Sequence, residues 1–434
     1  MESSIYLNTP CGSIRGSLWD GVKRFLGIRY ATAKRFEYAQ EVTKWEGVYD
    51  AISFGPAPIQ ARTYPQYQEP DGHSEKEFLA GEEVTYSEDC LFLNIWAPEN
   101  AKNCPVLVVI YGGGNMKGHT NEKPLDGTEF AKRGIVVVSM NYRINVFGIM
   151  AIPELETPDG RCGNFLYYDQ HTAFDFIRHN IASFGGDPEN MTIMGQSAGA
   201  MSVQQHCLSP LSEGLFRGAV MSSGGGVSGL MKTRPAESSF DFWKLVMEKA
   251  GCRDLAAFRA MAPEKLFAAW DAAKKEGKGG AMSCSPCIDG KLIVDAPKAH
   301  NIPYMAGINS EDMMPPILHG MAKSWCQGRE KPSYCWHFDR QLPGDENGAW
   351  HSADLWYWFG TLENCWRPME EKDYQLSGQM VDYLCSFVRT GDPNCEGHPV
   401  WKPFGNGQTA ALRLGEGSTR MDKPSTLKLV YTML

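Results

Sequence analysis

A serine hydroxyl attacks a carbonyl carbon only when the chain lifts it clear of its neighbours. The segment Met191-Thr-Ile-Met-Gly-Gln-Ser-Ala-Gly-Ala200 sets Ser197 two residues after Gly195 and two before Gly199. This G-x-S-x-G spacing fits a tight strand-to-helix turn, in which larger side chains at the two glycine positions would clash. The β-branched Thr192 and Ile193 precede it in an apolar run, and helix-compatible residues from Ala200 to Gln205 follow. A helix starting there aims its first amides at developing negative charge.

Attack on an ester turns the carbonyl oxygen into an oxyanion, which needs backbone N–H donors already in position. Upstream, the run Val106–Tyr111 ends in Gly112-Gly113-Gly114. The expected donors are the amides of Gly113, Gly114 and Ala198. A phosphate-binding loop is the competing reading, but the Lys-Ser/Thr ending and the G-x-G-x-x-G pattern are both missing here.

A serine also needs a base, usually histidine, oriented by a carboxylate. The histidines after Ser197 are His206, His300, His319, His337, His351 and His398. His206 falls in the expected helix after the serine and cannot fold back onto it. His351 follows the loop Leu342-Pro343-Gly344, where a mobile base belongs. Cys284-Ser-Pro-Cys287 is a lone C-x-x-C with no second pair, so no metal is expected. The chemistry requires no cofactor.

The elements that must hold these groups alternate. The opening runs SIYL, GSIRGSL and VKRFLGIRYA read as antiparallel strands. Val106–Tyr111, Ile135–Met140, Met191–Met194, Gly218–Ser222 and Tyr304–Ile308 read as buried strands, and Leu427–Tyr431 as a terminal one. Helices are expected over 169–183, stopped by Gly185-Gly186-Asp187-Pro188, over 233–278, and over 373–389. Strands alternating with helices imply an α/β fold with a mostly parallel sheet. Nothing divides the chain cleanly, so residues 1–434 are expected to form one domain. A helical cap-like insertion is expected at about 229–300.

Composition narrows the function. The chain has 434 residues with a net charge of −9, which argues against nucleic-acid binding. No run approaches the roughly 20 apolar residues of a membrane-spanning helix. The thirteen cysteines are an odd number, and the N-terminus MESSIYLNTP carries no secretory signal. Reduced thiols and a cytoplasmic location are therefore expected. The oligomeric state is left open, a monomer included.

Ordered stretches along nearly the whole chain resemble the carboxylesterase type B/cholinesterase family of α/β-hydrolases, in its bacterial para-nitrobenzyl-esterase-like form. They include Phe25-Leu-Gly-Ile-Arg-Tyr-Ala31, Phe54-Gly-Pro56, Ser87-Glu-Asp-Cys-Leu-Phe-Leu-Asn94, Asn141-Tyr-Arg143, Phe184-Gly-Gly-Asp-Pro188 and Thr390-Gly-Asp-Pro-Asn394. The resemblance implies an α/β-hydrolase fold and hydrolysis of carboxylic esters through a Ser-His-acid triad and an acyl-enzyme. Gly348-Ala-Trp-His351 is similar to the family's histidine segment and makes His351 the base. Gly307-Ile-Asn-Ser-Glu-Asp-Met313 is similar to its acid segment and makes Asp312 the acid, with Glu311 the alternative should the loop shift by one.

The departures from the family pattern carry expectations too. Asp312 replaces a Glu, and Met313 a Gly. Cys90 has no partner cysteine after Phe54-Gly-Pro-Ala57. Asn115 stands where relatives carry an aromatic residue, and with Trp350 it is a candidate for the substrate rim. Ser223 is a candidate for a supporting hydrogen bond behind the triad. The stretch between Asp312 and His351 is short beside that of relatives. A shallower, more open site follows, accepting small-molecule or bulky, sugar-linked esters. Two other readings stay open: the same triad acting on amides, carbamates or lactones, and a non-catalytic cholinesterase-like binding protein.

Overall fold

The fold is known from a computed structural model, which describes residues 2–68, 72, 75–226, 233–276, 285–415 and 417–423. One thirteen-stranded sheet runs through it. Across the sheet the order is Ser3–Thr9, Gly12–Trp19, Val22–Arg29, Phe92–Pro98, Val136–Met140, Cys104–Ile110, Gly186–Gln196, Gly218–Ser222, Tyr304–Asn309, Ser333–Phe338, Ala411–Leu414 and Arg420–Asp422. Val48–Asp50 pairs beside Gly12–Trp19. The first four strands in this order, and their junction with Val136–Met140, are antiparallel. From Val136–Met140 to Ala411–Leu414 every pairing is parallel. This is the α/β-hydrolase architecture expected from the sequence.

The apolar runs explain the middle of the sheet. Val106, Leu107, Val108 and Ile110 are fully buried, as are Val136, Val137 and Val138. A parallel strand covered by helices on both faces needs apolar side chains on both. Phe165–Asn180 and Ala198–Leu208 provide two of the crossover helices. The first extends four residues earlier than expected and ends in a 3₁₀ turn at Ile181–Phe184. Gly185, at φ +90°, then reverses the chain into the strand that carries the G-x-S-x-G segment.

The long helix expected over 233–278 is broken into Phe240–Lys249, Leu255–Ala260 and Pro263–Lys275. Gly251 at φ +69° ends the first helix. Asp254 Oδ1 caps the second by accepting from Ala257 N–H at 2.8 Å, and Pro263 opens the third. This helical group packs on the body through aromatic rings. Phe258 stacks on Phe36 at 5.6 Å, and Tyr64 and Tyr67 lie 5.5 and 5.4 Å from Phe267. The expected strand at Leu427–Tyr431 lies outside the described residues. Among the described residues no helix is long and apolar enough to cross a membrane.

Parallel strands all end at the same edge, so the loops after them converge. Gly112–Gly114, Ser197 and the Ser310–Asp312 loop lie just past the ends of such strands, and Ser222 is the last residue of another.

Candidate active site

Ser197 sits at φ +57°, ψ −125°, between the strand Gly186–Gln196 and the helix Ala198–Leu208. Such a backbone costs about 1–3 kcal/mol in a non-glycine residue and persists only where its surroundings enforce it. Its N–H donates to Ser222 O at 2.8 Å. The flanking glycines are required by space. A Cβ at Gly195 would lie 2.3 Å from the Gly199 backbone, and one at Gly199 2.1 Å from Ile110 O.

His351 Nε2 lies 2.8 Å from Ser197 Oγ. On the other side of the ring, Nδ1 is hydrogen-bonded to Asp312 Oδ1. A carboxylate there accepts from Nδ1–H and leaves the Nε2 lone pair free to receive the serine proton. The same carboxylate accepts from Asn309 N–H at 3.2 Å and Met313 N–H at 2.8 Å. Glu311 is occupied elsewhere. Its Oε2 accepts from Ala349 N–H at 2.9 Å, and its own N–H donates to Ala349 O at 3.2 Å. It clasps the acid loop to the histidine loop and has no contact with the imidazole among these bonds.

The other histidines are held elsewhere. His206 is buried between Gln170 Oε1 at 2.9 Å and Ser212 Oγ at 3.1 Å, and burial drives its pKa well down. His300 bonds Ser209 O, and His398 bonds Asp382. The His319 and His337 rings face each other at 5.8 Å.

Gly113 and Gly114 follow the strand Cys104–Ile110 with φ of +103° and +65°. Gly113 O accepts from both Met116 N–H and Lys117 N–H, which curls the segment beside Ser197. A Cβ on Gly113 would lie 2.0 Å from Lys117 O. Ala198 opens its helix, so its N–H has no intrahelical carbonyl to bond. The three amides expected for the oxyanion thus belong to segments that meet at the serine.

Two expectations are corrected. Ser223 Oγ has no hydrogen-bond partner among the described residues. The bond behind the triad comes from its neighbour: Ser222 Oγ donates to Asp354 Oδ2 at 2.6 Å. Ser222 ends the strand, whereas Ser223, at φ +52°, has already turned away. Asn115 does not form the rim. It takes a left-handed turn at φ +58° and is 4% exposed, and Met116 lines the cavity instead. Trp350 does line it, with Phe78 edge-on at 5.9 Å.

Several groups at the site carry no mark in the sequence. Gln196 Nε2 approaches His351 Nε2 at 3.3 Å. Asn309 Nδ2 donates to Trp350 O at 2.7 Å and to Asp354 Oδ1 at 3.1 Å. Asp354 is fully buried, and burial raises its pKa above the usual carboxylate range. In front of the serine lies a cavity of about 500 Å³. Among the described residues no group of three or more His, Cys, Asp and Glu could hold a metal.

Comparison with known proteins gives the family. The family model described as "Carboxylesterase family" matches residues 3–325 and 316–430. The bile salt-activated lipase of Mus musculus is 35% identical, over 89% of this chain and 78% of its own. The para-nitrobenzyl esterase of Bacillus subtilis (strain 168) is 26% identical, over 90% of this chain and 91% of its own. A solved PNB esterase superimposes with a TM-score of 0.86 at 24% identity, covering all of both chains. An arrangement able to activate a serine, on an α/β-hydrolase sheet and in a chain matched end to end by this family, identifies the protein as a member of the carboxylesterase family and a carboxylic ester hydrolase.

Proposed function

We propose that Ser197, His351 and Asp312 hydrolyse esters through an acyl-enzyme. Ser197 Oγ attacks the carbonyl carbon while His351 Nε2 takes its proton. The carbonyl π bond opens to an oxyanion, which the amides of Gly113, Gly114 and Ala198 stabilise. The C–O bond to the alcohol then breaks, and His351 returns the proton to the leaving oxygen. A water molecule, deprotonated by the same nitrogen, attacks the acyl carbon; the bond to Ser197 Oγ breaks, Oγ takes the proton back from His351, and the acid is released. Asp312 holds the ring in the required tautomer and offsets the positive charge that forms on it.

The observation that carries this reading is the unbroken hydrogen-bond chain from Ser197 Oγ through both ring nitrogens to Asp312. The cavity in front of the serine supports small-molecule esters. A cytoplasmic location is supported by the twelve cysteines among the described residues, all unpaired, Cys90 among them. The test is Ser197→Ala. A fluorophosphonate should label the wild-type protein, nitrophenyl esters should give a product burst, and the variant should show neither. Retained turnover in the variant would overturn the assignment. Hydrolysis of amides in preference to matched esters would overturn the substrate class.

A further inference from the structure

The cavity that contains Ser197 and His351 also reaches an ion pair that the mechanism does not use. Arg62 and Glu122 both line it. Arg62 Nη1 donates to Glu122 Oε1 at 2.9 Å, and the two side chains are only 6% and 12% exposed. Glu75 lies 3.9 Å from Arg62 Nε, beyond hydrogen-bond distance. Among the described residues this Nε has no hydrogen-bond partner. A guanidinium carries five N–H donors, and this one has only the longer ion-pair contact with Glu75. Buried ion pairs are also weak contributors to stability. The pair therefore makes better sense as a binding group than as a structural one.

We propose that Arg62 and Glu122 determine specificity by binding a neutral hydroxyl on the alcohol portion of the ester, an inference that rests on the hydrolase reading above. A hydroxyl satisfies both partners at once, because its oxygen accepts from the guanidinium and its O–H donates to the carboxylate. A carboxylate in the same place would face Glu122 and Glu75. An ammonium would face Arg62. A bare hydrocarbon would give the charged pair no polar partner in the cavity. The alcohol side is indicated by His351, which returns the proton to the leaving oxygen. That oxygen must lie near Nε2, and His351, Ser352 and Leu355 wall this same cavity. The remaining walls are largely apolar, with Met116, Leu125 and Phe359 among them. Lys117 is a further charged residue of the lining, and a charged pair in such a wall suits a single hydroxyl at the end of an apolar chain or ring. It suits a sugar, with hydroxyls all round, less well.

The test compares monoacetates of α,ω-diols with alkyl acetates over a series of chain lengths. In the wild-type protein, kcat/KM should favour the hydroxyl-ended ester at the length that reaches the pair, by about tenfold or more. The double substitution Arg62→Met with Glu122→Leu should erase or reverse that preference while alkyl acetates are still hydrolysed. Equal rates for the two series at every length would overturn the proposal, as would a preference for esters ending in a carboxylate or an ammonium. The wild-type comparison decides the matter even if the double variant does not fold. Failure to hydrolyse either series, or any nitrophenyl ester, would instead overturn the hydrolase reading itself.

Discussion

Two neighbouring carboxylates stand in different relations to His351, and substitution separates them. Asp312→Asn removes the charge that fixes the imidazole tautomer, because an amide facing Nδ1 can donate to it. The expected loss in kcat is on the order of 10³–10⁴. Glu311→Gln keeps an oxygen that can accept from Ala349 N–H. Its loss should stay within about tenfold, the scale of one altered hydrogen bond. Steady-state kinetics on a nitrophenyl ester checks both, and the reverse ranking would move the acid role to Glu311. The serine and its glycines are legible in the sequence because their constraint is local: each glycine relieves a clash within one turn. The roles of Ser222 and Asp354 are not. They meet across 132 positions, and only the folded register decides that Ser222 rather than Ser223 makes the bond. Gln196 was hidden in plain view, at a position where the spacing rule accepts any residue.

At the scale of elements, Asp354 joins three of them. It precedes the helix Leu355–Phe359, bonds Ser222 at a strand end, and bonds Asn309 at the start of the acid loop. Burial raises its pKa above the usual carboxylate value, with the nearby Asp312 charge acting in the same direction. The native state therefore holds the proton to higher pH than the unfolded chain does. Its contribution to stability is fully present below the unfolded pKa and is lost as pH rises through the raised folded value. Asp354→Asn cannot titrate, whereas every other group titrates in both proteins. The melting temperature of the wild type relative to this variant should therefore fall as pH is raised from acid toward neutrality. A difference independent of pH would contradict the raised pKa. Element identity was readable wherever one period ruled, as in Val106–Ile110, Val136–Met140 and the helix Glu371–Thr390. The strand Ser333–Phe338, with sequence SYCWHF, has no clear mark in the sequence because its mixed polar and aromatic residues give no uniform apolar run. The sequence from 233 to 278 reads as one helix because Ala, Lys and Glu favour helix throughout, and Gly251 and Pro263 mark where it breaks.

At the scale of the whole molecule, the number of independent units follows from what the sheet joins. Strands from Ser3–Thr9 to Arg420–Asp422 belong to the same sheet. The groups proposed for catalysis come from four separate stretches of the chain, so no part of it assembles the site alone. We propose that the chain unfolds as one domain, with the helices between 240 and 275 following the body through the Phe36–Phe258 and Tyr64–Phe267 contacts. These rings bury their apolar area against the body, so the helices lose it when the body opens. In a urea titration, far-ultraviolet circular dichroism, tryptophan fluorescence and fluorophosphonate labelling should then be lost at one midpoint. Loss of helical signal at lower urea, with Ser197 still labelled, would make the helical group an independent unit and refute the single domain. Loss of labelling ahead of both spectroscopic signals would locate the weakest region at the loops around Asp312 and His351. These are held to each other by side-chain bonds rather than a strand pairing of any length: Asp312 with His351, Glu311 with Ala349, and Asn309 with Trp350 and Asp354.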